Sequence, residues 1–329
     1  NSFCTLLPPA MPAQAFTWRS FYERIKDVDP DLRQMALFDL QEELKKEAFQ
    51  LGNEEDQAVG KVLVSFTVEE SNSEVHSNAV RLLEVLIPKA SARSRDRVVT
   101  HLARNMFDKP ADATVERLRA LRDNASLALK TCVAALKETQ KDTAASMCNA
   151  LIPGLQNTDA KVRTEVFDVV ADAVKVFGKG VAEVHRPASE AAMKDLTNSN
   201  AMLRKRAAAV IAAIATACEA ALFSDIMTFT AKGLESHSGS TQRRYAQLVS
   251  AISRAAGDRF AQWVQRIAPL LFRELDRLDA LEEGSEERES VEADDTRENI
   301  LQALENIIAR CPLHVGPIVA DTIKHATAL

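Results

Sequence analysis

Glycine is scarce in this 329-residue chain, at ten residues, and aromatic side chains make up only 5% of it. Strands favour aromatic and β-branched residues, whereas alanine, leucine and the long charged residues plentiful here favour helix, so the composition argues against a β-rich fold. Cysteine is sparse as well. Cys4, Cys132, Cys148, Cys218 and Cys311 are odd in number and scattered, and no two form a CxxC pair. That pattern offers no disulfide framework and fits a reducing, intracellular compartment. Cys132, Cys148 and Cys218 lie among helical apolar residues and are expected in the core. Long apolar runs are missing too. The most apolar stretch, Ala207 to Cys218, is too short and too alanine-rich to span a bilayer. Positive charge is not in excess: the net charge is −6 and the pI about 5.7. The chain therefore lacks the electrostatic footprint of a nucleic-acid binder, and neither nucleic acid nor membrane is expected as a partner.

What is present is a repeat. Arg33, His76, Arg122, Arg163, Arg204, Arg243 and Arg297 recur at intervals of 43, 46, 41, 41, 39 and 54 residues. Leu32, Val75, Leu121, Val162 and Leu203 precede the first five. Ala36, Ala79, Ala125, Val166, Ala207, Ala246 and Ile300 follow three residues after all seven. A period of about 40–47 residues built from paired helices marks HEAT or armadillo repeats. The expected fold is all-α: a HEAT-repeat superhelical solenoid of about seven helix pairs plus a partial terminal unit. Each unit reads as an A helix, a tight turn and a B helix that begins near the repeated cation, except in the third, where a long B helix reads from Val115 to Lys137.

Residues 1–15 are expected to form a flexible N-terminal segment and 16–329 the solenoid. The last interval is long because a glutamate-rich stretch, 279–294, enters the seventh repeat, and such a charge block is expected as a solvated, disordered loop. Asp294-Asp295 reads as the cap of the helix that follows. Pro153 and Pro269 are expected to bend their A helices. The array stops on an A helix without its partner.

Catalytic chemistry is not expected. The six histidines fall in six different segments, and none makes HExxH or pairs with cysteine at metal spacing. No cofactor or metal is expected. Gly178-Lys179-Gly180 lacks the remainder of a phosphate loop and reads as a helix stop. The repeated arginines are expected to tie neighbouring repeats together. Lys161, Arg163, Arg204, Lys205, Arg206, Arg243 and Arg244 could also form a basic ridge suited to an acidic protein.

Function in such an array belongs to its concave B-helix surface. Counted from the repeated cation, offsets +1, +5 and +8 share one stripe opposite the packed positions. The stripe places Gln34, Phe38 and Gln41 in the first unit, Ser77, Arg81 and Glu84 in the second, and Asp123, Leu127 and Lys130 in the third. Phe38 is either an aromatic anchor for a partner or a residue tucked between repeats. Further along, Thr164, Asp168, Ala171, Lys205, Ala209 and Ala212 lose polarity, which implies closer packing there.

Asp29 to Leu44 (DPDLRQMALFDLQEEL) resembles the opening repeat of the CAND family, the cullin-associated, neddylation-dissociated proteins. Asn200 to Ala213 (NAMLRKRAAAVIAA), Ala251 to Leu271 (AISRAAGDRFAQWVQRIAPLL) and Glu298 to Pro312 continue the resemblance in order. It implies the N-terminal HEAT-repeat region of an exchange factor for cullin–RING ubiquitin ligases. Such a region wraps the unmodified cullin C-terminal region and its RING-box protein and blocks neddylation sterically. The implied partners are a cullin and a RING-box protein, with a second chain carrying the C-terminal repeats as a further expectation. The implied location is cytoplasm and nucleus. Two other HEAT-built classes remain open at this point: a nuclear transport receptor and a phosphatase scaffold.

Overall fold

A computed structural model describes residues 16–110, 113–236, 239–281, 284–286 and 288–327. The expectation for residues 1–15 lies outside them. Six helix pairs follow one another: α1 (Trp18–Arg24) with α2 (Pro30–Lys45), α3 (Asn53–Glu69) with α4 (Ser73–Lys89), α5 (Ala92–Asn105) with α6 (Val115–Ala135), α7 (Lys141–Leu151) with α8 (Ala160–Phe177), α9 (Ala182–Asp195) with α10 (Ala201–Ala217), and α11 (Ala220–Ser236) with α12 (Gly239–Ala255). In the seventh pair, α13 (Gly257–Phe260) passes through a 3-10 turn at Ala261–Trp263 into α14 (Val264–Asp279), which packs on α15 (Val291–Arg310). α16 (Gly316–Thr327) lies against α14 and α15. No strand occurs among the described residues, and the chain is an all-α HEAT solenoid.

Local chemistry sets the helix starts. Asp29, Asn72, Asp159 and Asn200 cap α2, α4, α8 and α10, each accepting from a backbone N–H of the first turn. Two residues upstream, Asp27, Glu70, Asn157 and Asn198 accept from the backbone N–H of those capping residues at 2.9–3.0 Å. Four A-to-B turns therefore share one side-chain-directed geometry. Gly178, at φ 49°, ends α8 in a conformation that favours glycine.

The repeat register is also the core register. Ala36, Ala79, Ala125, Val166, Ala207, Ala246 and Ile300 are all 0% exposed. Along the array, α2, α4, α6, α8, α10, α12 and α15 stack in succession as one B layer, with contacts more extensive than those between successive A helices. Cys132, Cys148, Cys218 and Cys311 are buried free thiols, and burial pushes Cys132 and Cys148 up to about 12. Cys4 lies outside the described residues.

Several boundaries differ from expectation. Pro153 does not bend a continuous helix: α7 stops at Leu151 and Ile152–Gln156 is a 3-10 turn, because proline cannot donate to the preceding turn. Pro187 and Pro269 do lie inside helices, α9 and α14. In the third unit α6 does start at Val115, as its sequence reads, with Thr114 Oγ1 accepting from Arg117 N–H at 3.2 Å as its cap. The acidic segment is shorter than 279–294. Asp279 ends α14, Ser290 caps α15 through Ala293 N–H at 3.1 Å, and Asp294 and Asp295 are already helical. Ser290, not the Asp294-Asp295 pair, is the cap.

Candidate protein-binding surface

The repeated cations hold the edges of the array. Arg33 donates from Nη1 to the carbonyls of Asp27 and Val28, both at 2.9 Å. The other edge of its guanidinium meets both carboxylate oxygens of Glu70, at the end of the next A helix, at 3.1 Å each. Arg163 repeats the arrangement: Nη1 to Asn157 O at 2.6 Å and Thr158 O at 3.3 Å, Nε and Nη2 to Asp195 at 2.7 and 2.9 Å. A two-bond fork of this kind fixes direction as well as charge. Arg243 reaches Asp295 of the next repeat at 2.6 Å. Arg122 lies 3.7 Å from Asp159, and Arg297 lies 3.6 Å from Asp279. His76 bonds the Thr67 carbonyl within its own unit. The expected structural role holds for Arg33 and Arg163. Arg204 keeps only half of it, binding Asn198 O and Ser199 O at 2.7 and 2.8 Å and, among the described residues, no carboxylate.

Between the seams with its neighbours, each B helix leaves one strip uncovered, on the side away from the A layer. The predicted stripe falls there in the first three units. Ser77, Arg81, Glu84 and Asp123 are exposed, as are Phe38 at 56% and Leu127 at 50%. Gln34, Gln41 and Lys130 are half-buried. Phe38 therefore stands in solvent rather than between repeats, with exposed Met35 one turn away on the same helix.

Lys130 is committed within the array, since its ammonium pairs with Asp168 and lies 3.7 Å from Glu165. Asp168 also takes Arg206, and Ser126 donates to Glu165 at 2.6 Å. This polar lacing joins α6, α8 and α10. Along α8 and α10 the strip closes in part: Thr164, Ala171 and Ala212 are buried, Asp168 and Ala209 half-buried, and Lys205 stays exposed. The spacing alone gave no sign of the lacing, because its partners lie 38 and 39 residues apart.

The basic ridge is thereby thinned. Arg163, Arg206 and Arg243 are neutralised by Asp195, Asp168 and Asp295. Elsewhere, a groove of about 860 Å³ lies between α3 and α5, floored by Val64, Val68 and Val98. Among the described residues, no group of three or more His, Cys, Asp or Glu is placed to hold a metal ion. No described helix is long and apolar enough to cross a membrane.

No family model matches the chain. It is 27% identical over 300 residues to Cullin-associated NEDD8-dissociated protein 1 of Drosophila melanogaster, covering 90% of this chain and 22% of the relative. It is 26% identical over 323 residues to Cullin-associated NEDD8-dissociated protein 2 of Mus musculus, covering 94% and 24%. The Arabidopsis thaliana protein 1 matches at 25% over 301 residues, covering 90% and 23%. The chain thus spans under a quarter of the length of these relatives. Among solved structures, Kap121p bound to Pho4p superposes with a TM-score of 0.59 at 15% identity, covering 94% of this chain and 31% of that one. Importin beta gives 0.56 at 16%, covering 94% and 40%. At such identities the structural likeness concerns the HEAT fold alone.

Proposed function

We propose that this chain, a HEAT-repeat region of the cullin-associated NEDD8-dissociated family, is a non-enzymatic scaffold that binds a cullin. The observation that carries this reading is the likeness to those relatives along about 90% of the chain. The finer reading is that the open B-layer strip of the first three repeats grips an unmodified cullin C-terminal region together with its RING-box subunit. Phe38 and Leu127 would supply apolar contact, and Arg81, Glu84 and Asp123 would supply polar contact around it. The mechanism is steric, since a partner lying along the inner face has its neddylation site covered. The protein would work in cytoplasm and nucleus.

A second chain carrying C-terminal repeats fits the far end of the array. Every earlier B helix buries its forward side under its successor. On α15 that side, with Leu301 and Ile308, forms part of a groove of about 750 Å³ shared with Thr322 and Ala326 of α16. A further B helix would occupy it.

Mixing the purified chain with a recombinant cullin–RING-box complex tests the reading. Co-elution in size-exclusion chromatography and slowed neddylation of the cullin are the expected results. Neither effect at micromolar concentration would sink it, and binding without slowed neddylation would sink the steric mechanism alone.

A further inference from the structure

Arg204 occupies the same cradle as Arg33 and Arg163, but its rung is left open. In all three, Nη1 donates to two carbonyls of the turn that precedes the B helix. In Arg33 and Arg163 the Nε and Nη2 edge then meets a carboxylate of the next repeat. Among the described residues Arg204 meets none. The next repeat delivers Arg244 instead, whose Nη1 donates to Thr197 O at 2.9 Å. Thr197, Asn198 and Ser199 therefore hold two guanidinium groups on three successive carbonyls.

Among the described residues, acids of the adjoining repeats do not reach Arg204. Asp195 is taken by Arg163 and Asn198, and Asp295 by Arg243. Glu235, near the end of α11, is exposed, and its backbone carbonyl accepts from Arg273. Burial first, and then the charges of Arg244 and Arg243, lower the Arg204 pKa from its ordinary value, as expected for a cation set beside cations.

We propose that Arg204 and Arg244 form a receptor for an acidic side chain of a protein partner, which closes from outside the rung that the array leaves open. A planar guanidinium fork matches a carboxylate bidentately. Both forks are already held by backbone carbonyls, so little rotamer freedom is lost on binding. A single glutamate or aspartate fits two cations better than a nucleic-acid backbone does, because the surrounding chain carries net negative charge.

The test uses no cullin and is independent of the reading above. A fluorescent peptide of alternating glutamate and glycine is titrated by anisotropy at low salt. Arg204→Gln/Arg244→Gln should weaken binding at least about tenfold. Arg204→Lys, which keeps the charge but loses the fork, should weaken it about threefold or more. Arg244→Gln alone removes one surface bond and guards against loss of fold, with thermal melts run in parallel. The control Arg104→Gln/Arg117→Gln should change binding by less than about twofold. Equal losses in control and double variant would reduce the effect to diffuse charge and overturn the proposal, as would absence of binding by the unaltered protein. Tighter binding of inorganic phosphate than of the peptide would reassign the site and overturn it as well. If Glu235→Gln strengthened peptide binding, Glu235 would be closing the rung in solution and the proposal would fail.

Discussion

Arg163 and Asp195 face each other across two repeats through a paired bond, Nε and Nη2 to the two carboxylate oxygens at 2.7 and 2.9 Å. Both side chains are mostly covered, so the pair is screened less than a surface ion pair. Arg163→Ala removes this fork and two carbonyl bonds and leaves Asp195 without its cation. A loss of about 2–4 kcal/mol is expected by urea denaturation. Asp195→Asn should cost less, since an amide still accepts one of the two bonds. A change under about 0.5 kcal/mol for Arg163→Ala would show that the rung contributes little.

The inner strip and the core should separate cleanly. Leu40 is fully buried and Leu40→Ala should cost about 2–5 kcal/mol through the cavity it leaves. Phe38, two residues earlier, stands in solvent. Phe38→Ala and Arg81→Ala should leave the melting temperature nearly unchanged. They should weaken binding to a cullin–RING-box complex by about 2 kcal/mol if Phe38 is an anchor. Pull-downs and melts on the same preparations decide the matter; a collapsed Phe38→Ala protein beside an intact Leu40→Ala protein would mean that the register is wrong.

Gly233 on α11 sits directly against the ring of Tyr245 on α12. A β-carbon built there would stand 2.1 Å from Cε1 of Tyr245. Gly233→Ala should therefore destabilise the protein by about 1–3 kcal/mol despite alanine's better helix propensity. Tyr245→Leu should restore part of that loss when the two are combined, a non-additivity that a double-mutant cycle reads directly. Additive losses would place the cause elsewhere.

Acid should weaken the fifth repeat through His185. Burial lowers its pKa from the ordinary 6.5, only partly offset by its bond to the Gly178 carbonyl. The unfolded chain then takes up a proton before the folded one does. This contribution to stability is complete above about pH 6.5 and is lost as the pH falls. Between about pH 7.5 and 5.5 the unaltered protein should lose more stability than His185→Gln, measured by urea midpoint. Equal losses would remove His185 as the source.

The sequence carried the fold through its turns. Asp27-Val28-Asp29, Asn157-Thr158-Asp159 and Asn198-Ser199-Asn200 announce themselves because the same side chains that mark them also build them. The start of the long third B helix at Val115 was readable as well, although its cap, Thr114, works without the side-chain pair that builds the other turns. Pro153 was expected to bend its helix and instead lies just past the end of α7, because bending and ending a helix look alike in sequence and differ in whether packing sustains the next turn. The strip at offsets +1, +5 and +8 was legible from helical geometry, and Phe38 and Arg81 emerge in solvent where it put them. The engagement of Lys130 was not, since ion pairing between repeats depends on the stacking offset of α6 and α8. The open rung at Arg204 was hidden for a related reason. Its turn is of the same kind as that before Arg163, and the difference lies in what the following repeat fails to bring.

The side-chain ties between neighbouring repeats also bear on how such a chain comes to be folded. Among the described residues, the most widely separated of these bonds, Asn306 to Ser250, spans only 56 positions. Closing loops of that size costs little entropy, and no early segment has to wait for a distant one. Each helix pair can settle while the next is still being synthesised, so the array can grow behind the ribosome one unit at a time, with a fresh apolar edge exposed only until its successor arrives.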